Sequence, residues 1–68
     1  MKLFCDRIKE LRLDQKLTQK ELAKKLNTSN SSVCDWEKGR SQPDLQTLVN
    51  IATLFDVSTD YLLGLSDE

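Results

Sequence analysis

The sequence predicts an all-α fold, with one domain of five short helices over residues 1–68. Apolar residues recur every three or four positions along the chain, as they do on a helix with one buried face. No segment keeps the period-two alternation of a half-buried strand. Residues that favour helix ends separate the apolar segments. A chain of 68 residues buries only one thin core, so packing between the helices must stabilise them.

The first helix is predicted over Leu3 to Asp14. Phe4, Ile8 and Leu11 fall on one side of it, because residues three and four apart are neighbours on a helix surface. This apolar stripe predicts that the helix packs against the rest of the domain.

Residues 18–39 predict two short helices joined by a tight turn, a helix-turn-helix. Thr18 and Glu21 have the spacing of a capping box, so a helix should begin directly after Thr18. Asn27 is the predicted turn residue, because asparagine tolerates the left-handed conformation that ends a helix sharply. The inward face of the helix that begins after Thr18 carries three apolar residues: Leu22, Ala23 and Leu26.

The helix after the turn is predicted to begin at Thr28 or Ser29, either of which can cap it, and to end at Gly39. Two interpretations of Trp36, one turn after Val33, are open. It is either a core residue or a platform on which bases stack. A core position is favoured, because large aromatic side chains are mostly buried.

The last two helices are predicted over Leu45–Phe55 and Thr59–Leu63. Asp44 and Ser58 can cap their N-termini, and Gly64 stops the fifth helix. The fourth helix has an apolar face of five residues: Leu45, Leu48, Ile51, Ala52 and Phe55. The predicted core of the domain is Leu11, Leu22, Leu26, Val33, Trp36, Leu48, Ile51 and Phe55.

The net charge of −1 is divided unevenly along the chain. Residues 1–40 contain all ten basic residues and six acidic ones, a net charge of +4. Residues 41–68 contain five acidic residues and no basic one, a net charge of −5. This asymmetry predicts one cationic and one anionic face, which suits a nucleic-acid partner. The alternative is an ordinary solvated helix surface, and charge alone does not exclude it.

The composition argues against several functional classes. The chain has no histidine, and Cys5 and Cys34 lack the spacing of a zinc site or a disulfide framework. It has no nucleophile–base pair and no glycine-rich phosphate loop, so no catalytic residue, metal or cofactor is predicted. With no apolar leader and no long apolar run, a cytoplasmic protein without a membrane partner is expected.

Several segments, in this order and spacing, resemble the lambda-repressor-like five-helix domains, the helix-turn-helix family of phage repressors and Cro proteins. They are Arg7–Arg12, Leu17–Ala23, Trp36–Gly39, Pro43–Leu48 and Val57–Ser58 before Tyr61–Leu63. The resemblance covers nearly the whole chain. It implies binding to double-stranded operator DNA through the helix-turn-helix at residues 18–39. The helices over residues 44–65 would complete the core and contribute a dimer contact.

The resemblance also implies roles for particular residues. Gln19, which opens the second helix, would contact the DNA backbone and brace a base-reading side chain. Asn30 and Ser31 would read bases from the start of the third helix, and Asp35 from one turn later. These side chains suit the task, because asparagine can bond adenine, serine several bases, and aspartate the N4 amine of cytosine.

Other implied roles concern the DNA backbone and the scaffold. Phosphate contacts are implied for four further residues: Ser29, Ser32, Lys38 and Arg40. Arg12 of the first helix and Glu37 at the end of the third are implied to pair as a structural brace. Asn27 departs from the family pattern, which usually has glycine at that turn.

Two residues of the third helix leave alternatives open. Asp35 would meet phosphate repulsion on DNA, so it either selects cytosine or rejects wrong sequences, or it turns aside and pairs with a lysine. Cys34 is either a redox-sensitive thiol or a small half-buried residue near the DNA. The second is favoured, because the neighbouring carboxylate opposes thiolate formation.

The segment 61–65 holds more apolar residues than one short helix can bury. Tyr61, Leu63 and Leu65 are therefore predicted to form a dimer contact, since helix-turn-helix proteins of this type usually bind near-palindromic DNA as two-fold dimers. The alternative is that these residues only close the core.

The predicted function is sequence-specific regulation of transcription, as a repressor, and not an enzymatic activity. An alternative is a protein-interaction module that binds a toxin or an anti-repressor, with DNA contact secondary. A large exposed apolar patch would favour that alternative.

Overall fold

The computed structural model describes residues 3–67, which form five α-helices and no strand. The helices are α1 (Phe4–Asp14), α2 (Gln19–Lys25), α3 (Asn30–Lys38), α4 (Leu45–Phe55) and α5 (Thr59–Leu62). The predicted all-α class and the helix-turn-helix at α2 and α3 are confirmed. Two predicted helix ends were wrong by one residue, because Leu3 is the N-cap of α1 and Leu63 the C-cap of α5. Within residues 3–67, no helix has both the length and the apolar character needed to span a membrane.

Side-chain caps begin four of the five helices. Thr18, Ser29, Asp44 and Ser58 each accept a hydrogen bond from the backbone N–H three residues further on. These bonds satisfy N–H groups that have no partner within the helix, so each cap fixes where its helix begins. Of the two caps predicted for α3, Ser29 is the one observed.

Left-handed residues form the sharp turns on both sides of α3. Asn27 has a φ of +57°, and the next N–H, of Thr28, closes the turn on the carbonyl of Ala23 at 2.9 Å. Gly39 has a φ of +75° and ends α3, as predicted. Asparagine therefore replaces glycine at the first turn with little steric cost.

The core lies where the apolar faces of all five helices meet. Its buried members are Ile8, Leu22, Ala23, Leu26, Val33, Trp36, Ile51, Ala52, Phe55 and Leu62. The core position of Trp36 is thereby confirmed, which removes the stacking-platform alternative. Leu11 and Leu48 were predicted as core residues but are only half-buried at its edge.

Leu45 contradicts the apolar face predicted for α4, because it is 81% exposed. It is the first residue of the helix, so it projects beyond the packed part of α4. There it borders a groove of about 220 Å³, lined by Phe4, Gln42, Pro43, Leu45, Leu48 and Leu63. The periodicity of the sequence placed Leu45 on the correct side of the helix but could not show that the core ends before it.

The cap of α4 should make stability depend on pH. The Thr47 backbone N–H holds the pKa of Asp44 below its ordinary value, because the hydrogen bond favours the ionised carboxylate. This stabilisation is complete at a pH above the ordinary aspartate pKa of about 4. It is lost as the pH falls through the lower pKa that Asp44 has in the folded chain. We expect Asp44→Asn, whose amide oxygen caps without titrating, to flatten the acid limb of a stability curve measured by urea unfolding. Parallel curves for Asp44→Asn and the unaltered chain between about pH 2 and 5 would contradict this.

Candidate nucleic-acid interface

The carboxylate of Glu37 joins three parts of the chain. Arg12 Nε donates to Glu37 Oε2 at 2.6 Å, and Arg12 Nη2 donates to Oε1 at 3.0 Å. Gln19 Nε2 donates to the same Oε1 at 3.1 Å, and Arg12 Nη1 donates to the carbonyl of Leu17 at 2.8 Å. These bonds tie α1, the start of α2 and the end of α3 together. We call this set the Glu37 cluster.

The Glu37 cluster is shielded from water. The side chains of Arg12 and Glu37 are 10% and 4% exposed, so their two-point contact is screened very little. The hydrogen bonds to Glu37 raise the pKa of Arg12 above its ordinary value and outweigh the opposing effect of burial. Arg12 therefore stays charged, and its two-point contact with Glu37 holds α1 against the end of α3.

The N-terminal end of α3 presents a small polar surface. Asn30 and Ser31, its first two residues, are exposed. Ser29 Oγ lies 3.1 Å from Ser31 Oγ and 2.9 Å from Ser32 Oγ, and it also accepts the N–H of Ser32. The three hydroxyl groups thus form one cluster, in which Ser29 has a structural role as a cap.

Asp35 lies one turn further along α3 and pairs with Arg40. The distance from Asp35 Oδ1 to Arg40 Nη1 is 4.0 Å, and both side chains are well exposed. A lysine is the partner expected from the sequence if Asp35 turns away from DNA. The observed partner is instead Arg40, the residue after Gly39. An exposed pair at this distance contributes little to stability, so it can open at little cost.

The cationic surface is smaller than the sequence suggested. Arg7 and Arg12, two of the ten basic residues, are buried. Seven basic residues among residues 3–67 are exposed: Lys9, Lys16, Lys20, Lys24, Lys25, Lys38 and Arg40. Cys34 is a half-buried free thiol on α3.

The residues predicted for a dimer contact differ in their surroundings. Leu63 and Leu65 are 48% and 73% exposed, whereas the ring of Tyr61 is half-buried under the guanidinium of Arg7, 4.1 Å away. Sequence reasoning missed Arg7 as a contact of this segment. Its partners are 54 to 60 positions away, and neither periodicity nor spacing reports such a contact.

Removal of one partner from the Glu37 cluster should strongly destabilise the chain. Glu37→Ala leaves the Arg12 guanidinium buried without its counter-charge, and we expect a loss of about 3–5 kcal/mol in the free energy of unfolding. The double variant Arg12→Met, Glu37→Leu should recover most of this loss, because no unpaired charge remains. Urea unfolding followed by circular dichroism measures both, with the exposed Asp14→Ala as control. A double variant no more stable than Glu37→Ala would contradict the stated cause.

Comparison with known proteins places this geometry in a family. The model of the helix-turn-helix family matches residues 8–62. The HTH-type transcriptional regulator YobD of Bacillus subtilis is 42% identical over 66 residues, which are 97% of this chain and 59% of that protein. The HTH-type transcriptional regulator ImmR of Bacillus subtilis is 47% identical over 58 residues, which are 85% of this chain and 46% of that protein. The chain therefore spans about half the length of these relatives.

A solved structure extends the comparison to the whole fold. The P22 c2 repressor, crystallised with a synthetic operator, superposes with a TM-score of 0.90 at 29% identity. The superposition covers 97% of this chain and all of that chain. The expected resemblance is thus confirmed in sequence and in structure. The chain belongs to the Cro- and phage-repressor-type helix-turn-helix family of transcriptional regulators.

Proposed function

We propose that the chain represses transcription by binding a near-palindromic operator as a homodimer, with α3 in the major groove. The observation that carries this proposal is the exposed polar end of α3, held at a set angle to α2 by the buried Glu37 cluster. The similarity to a repressor that has been crystallised with operator DNA supports it. Such a regulator acts in the cytoplasm, where its operator is.

The base contacts are assigned to the exposed residues of α3. Asn30 and Ser31 stand at the helix end that enters the groove in this motif. Asn30 can bond the N6 and N7 atoms of adenine, and Ser31 suits several base edges. Asp35 would accept a hydrogen bond from cytosine N4 once a phosphate has drawn Arg40 away from it.

The backbone contacts surround this helix end. Gln19 is oriented by its hydrogen bond to Glu37, which holds its amide at the start of α2. One hydroxyl group of the Ser29–Ser32 pair donates to the other, so the pair keeps one O–H for a phosphate oxygen, and opening their mutual bond frees the second. Lys38 and Arg40 add exposed positive charge where α3 ends. Phosphate contacts of this kind position a protein on DNA without reading its sequence.

Two variants separate base reading from backbone binding. Asn30→Ala should cost about 1–3 kcal/mol on the operator and relax the preference at one base pair. Lys38→Ala should weaken binding to all sequences alike and lower the slope of log affinity against log salt by about 1. Titration of operator and random DNA at several salt concentrations measures both. Leu13→Ala, at an exposed position on α1, serves as the control. Equal losses on operator and random DNA for both variants would contradict the assignment.

The dimer is assigned to the C-terminal end of the described chain. Leu63 and Leu65 are exposed there, and Leu63 also lines the apolar groove beside Leu45. Two copies related by a two-fold axis would bury this surface and set their α3 helices about 34 Å apart, one turn of DNA. Tyr61 would contribute the exposed part of its ring.

A charge placed in this contact should separate the two copies. We expect Leu65→Glu to be monomeric at micromolar concentration and to bind a two-half-site operator at least about tenfold more weakly, with binding to one half-site unchanged. Analytical ultracentrifugation and gel shift measure this. Leu13→Glu is the matched control, because Leu13 is also exposed but lies at the far end of α1 from the groove. An unaltered chain that is monomeric both free and on the two-half-site operator would contradict the dimer.

A second candidate function rests on the same apolar groove. Phe4, Leu45 and Leu63 offer more exposed apolar surface than the sequence predicted, and this suits a protein partner such as a toxin or an anti-repressor. Gel shift with the chain's own promoter separates the two functions. If the promoter is bound no more tightly than random DNA, the protein-interaction function is favoured.

A further inference from the structure

A buried arginine on α1 holds the C-terminal segment 61–67. Arg7 is 5% exposed, and its Nη1 donates to the carbonyl of Tyr61 at 2.9 Å and to that of Ser66 at 2.7 Å. Its Nη2 lies 3.6 Å from the carboxylate of Asp67. One side chain therefore contacts the segment at both ends.

The segment 61–67 needs a cation from elsewhere. Helix α5 has only four residues, and the carbonyls at a helix C-terminus lack partners within the helix and carry partial negative charge. Residues 41–68 contain no basic residue that could balance this charge. Arg7 supplies positive charge from α1 and donates to the Tyr61 carbonyl, which also accepts the N–H of Gly64 at 3.2 Å.

Two different anchors hold the C-terminal part of the chain. Leu62 is fully buried in the core and fixes α5 itself. The chain then turns at Gly64, which has a φ of +81°, and Leu65 donates to the carbonyl of Asp60 at 2.8 Å. Beyond this turn, the hydrogen bond from Arg7 to Ser66 ties the segment back to α1. Leu63 and Leu65 lie between the two carbonyls that Arg7 holds.

We propose that Arg7 is a positioning residue for self-association, because it holds segment 61–67 in the form that presents Leu63 and Leu65 to a second copy of this chain. The inference rests on the dimer proposed above. A segment that is ordered before association loses less conformational entropy when two copies meet. Arg7 touches no DNA-reading residue among the contacts described, so its effect on operator binding passes through the dimer.

The test compares three substitutions on the full chain. Arg7→Met keeps an unbranched side chain but removes every donor, and Asp67→Asn removes only an ion pair whose carboxylate is fully exposed. Lys9→Met removes the same charge from an exposed position of the same helix. Amide hydrogen exchange at Gly64 and Leu65, compared with exchange at core amides of α2 and α3, measures the local stability of segment 61–67. Sedimentation equilibrium measures the association constant.

For Arg7→Met we expect exchange at Gly64 and Leu65 to rise about tenfold or more relative to the core amides, and dimer association to weaken by a similar factor. Asp67→Asn and Lys9→Met should change both quantities by less than about twofold. Unchanged exchange at Gly64 and Leu65, or a uniform rise across all helices, would overturn the role of Arg7 as a local anchor. Faster exchange at Gly64 and Leu65 with an unchanged association constant would overturn the role of Arg7 in self-association. An unaltered chain that never associates would instead overturn the dimer itself, and the association half of this inference with it.

Discussion

The carboxylate of Glu37 is the group on which the geometry of the helix-turn-helix depends. It accepts hydrogen bonds from α1 and from the first residue of α2, and it belongs to the last turn of α3. The helices α2 and α3 have seven and nine residues, too few to be stable as isolated helices. The angle between them must therefore come from tertiary contacts. A buried ion pair suits this task better than apolar packing alone, because its bonds are directional.

The helix α3 is anchored in the core on one side and has freely accessible side chains at its N-terminal end. Val33 and Trp36 are buried on one side of the helix, whereas Asn30 and Ser31 are exposed at its N-terminal end. The cap at Ser29 satisfies a backbone group without using a bulky or charged side chain. A polar surface that is held by the core and carries no strong internal ion pair suits DNA binding, since little has to be broken before a base or a phosphate is contacted.

Much of the fold could be predicted from the sequence, because its signals are local. The caps at Thr18, Asp44 and Ser58 lie within three residues of the N–H groups they bind, and apolar periodicity shows which side of each helix is buried. The errors arose where position in three dimensions decides. Leu45 has the correct phase but lies beyond the core, and periodicity does not report distance from a helix end. The side chains of the α3 surface could be named from a family resemblance, whereas their hydrogen bonds needed coordinates.

Arg7 shows most clearly why some contacts escape a sequence. It precedes Arg12 by five residues, which places the two side chains about 140° apart around α1. The charge asymmetry of the sequence included both, and only Arg12 was also assigned a structural contact, with Glu37. Both are buried, and each holds a different part of the chain. Arg12 holds the helix-turn-helix, and Arg7 holds segment 61–67. Helix α1 therefore sets the geometry of the proposed DNA surface and that of the proposed dimer contact from two of its faces. If both proposals hold, the spacing of two operator half-sites is linked to the orientation of each α3 through this one helix.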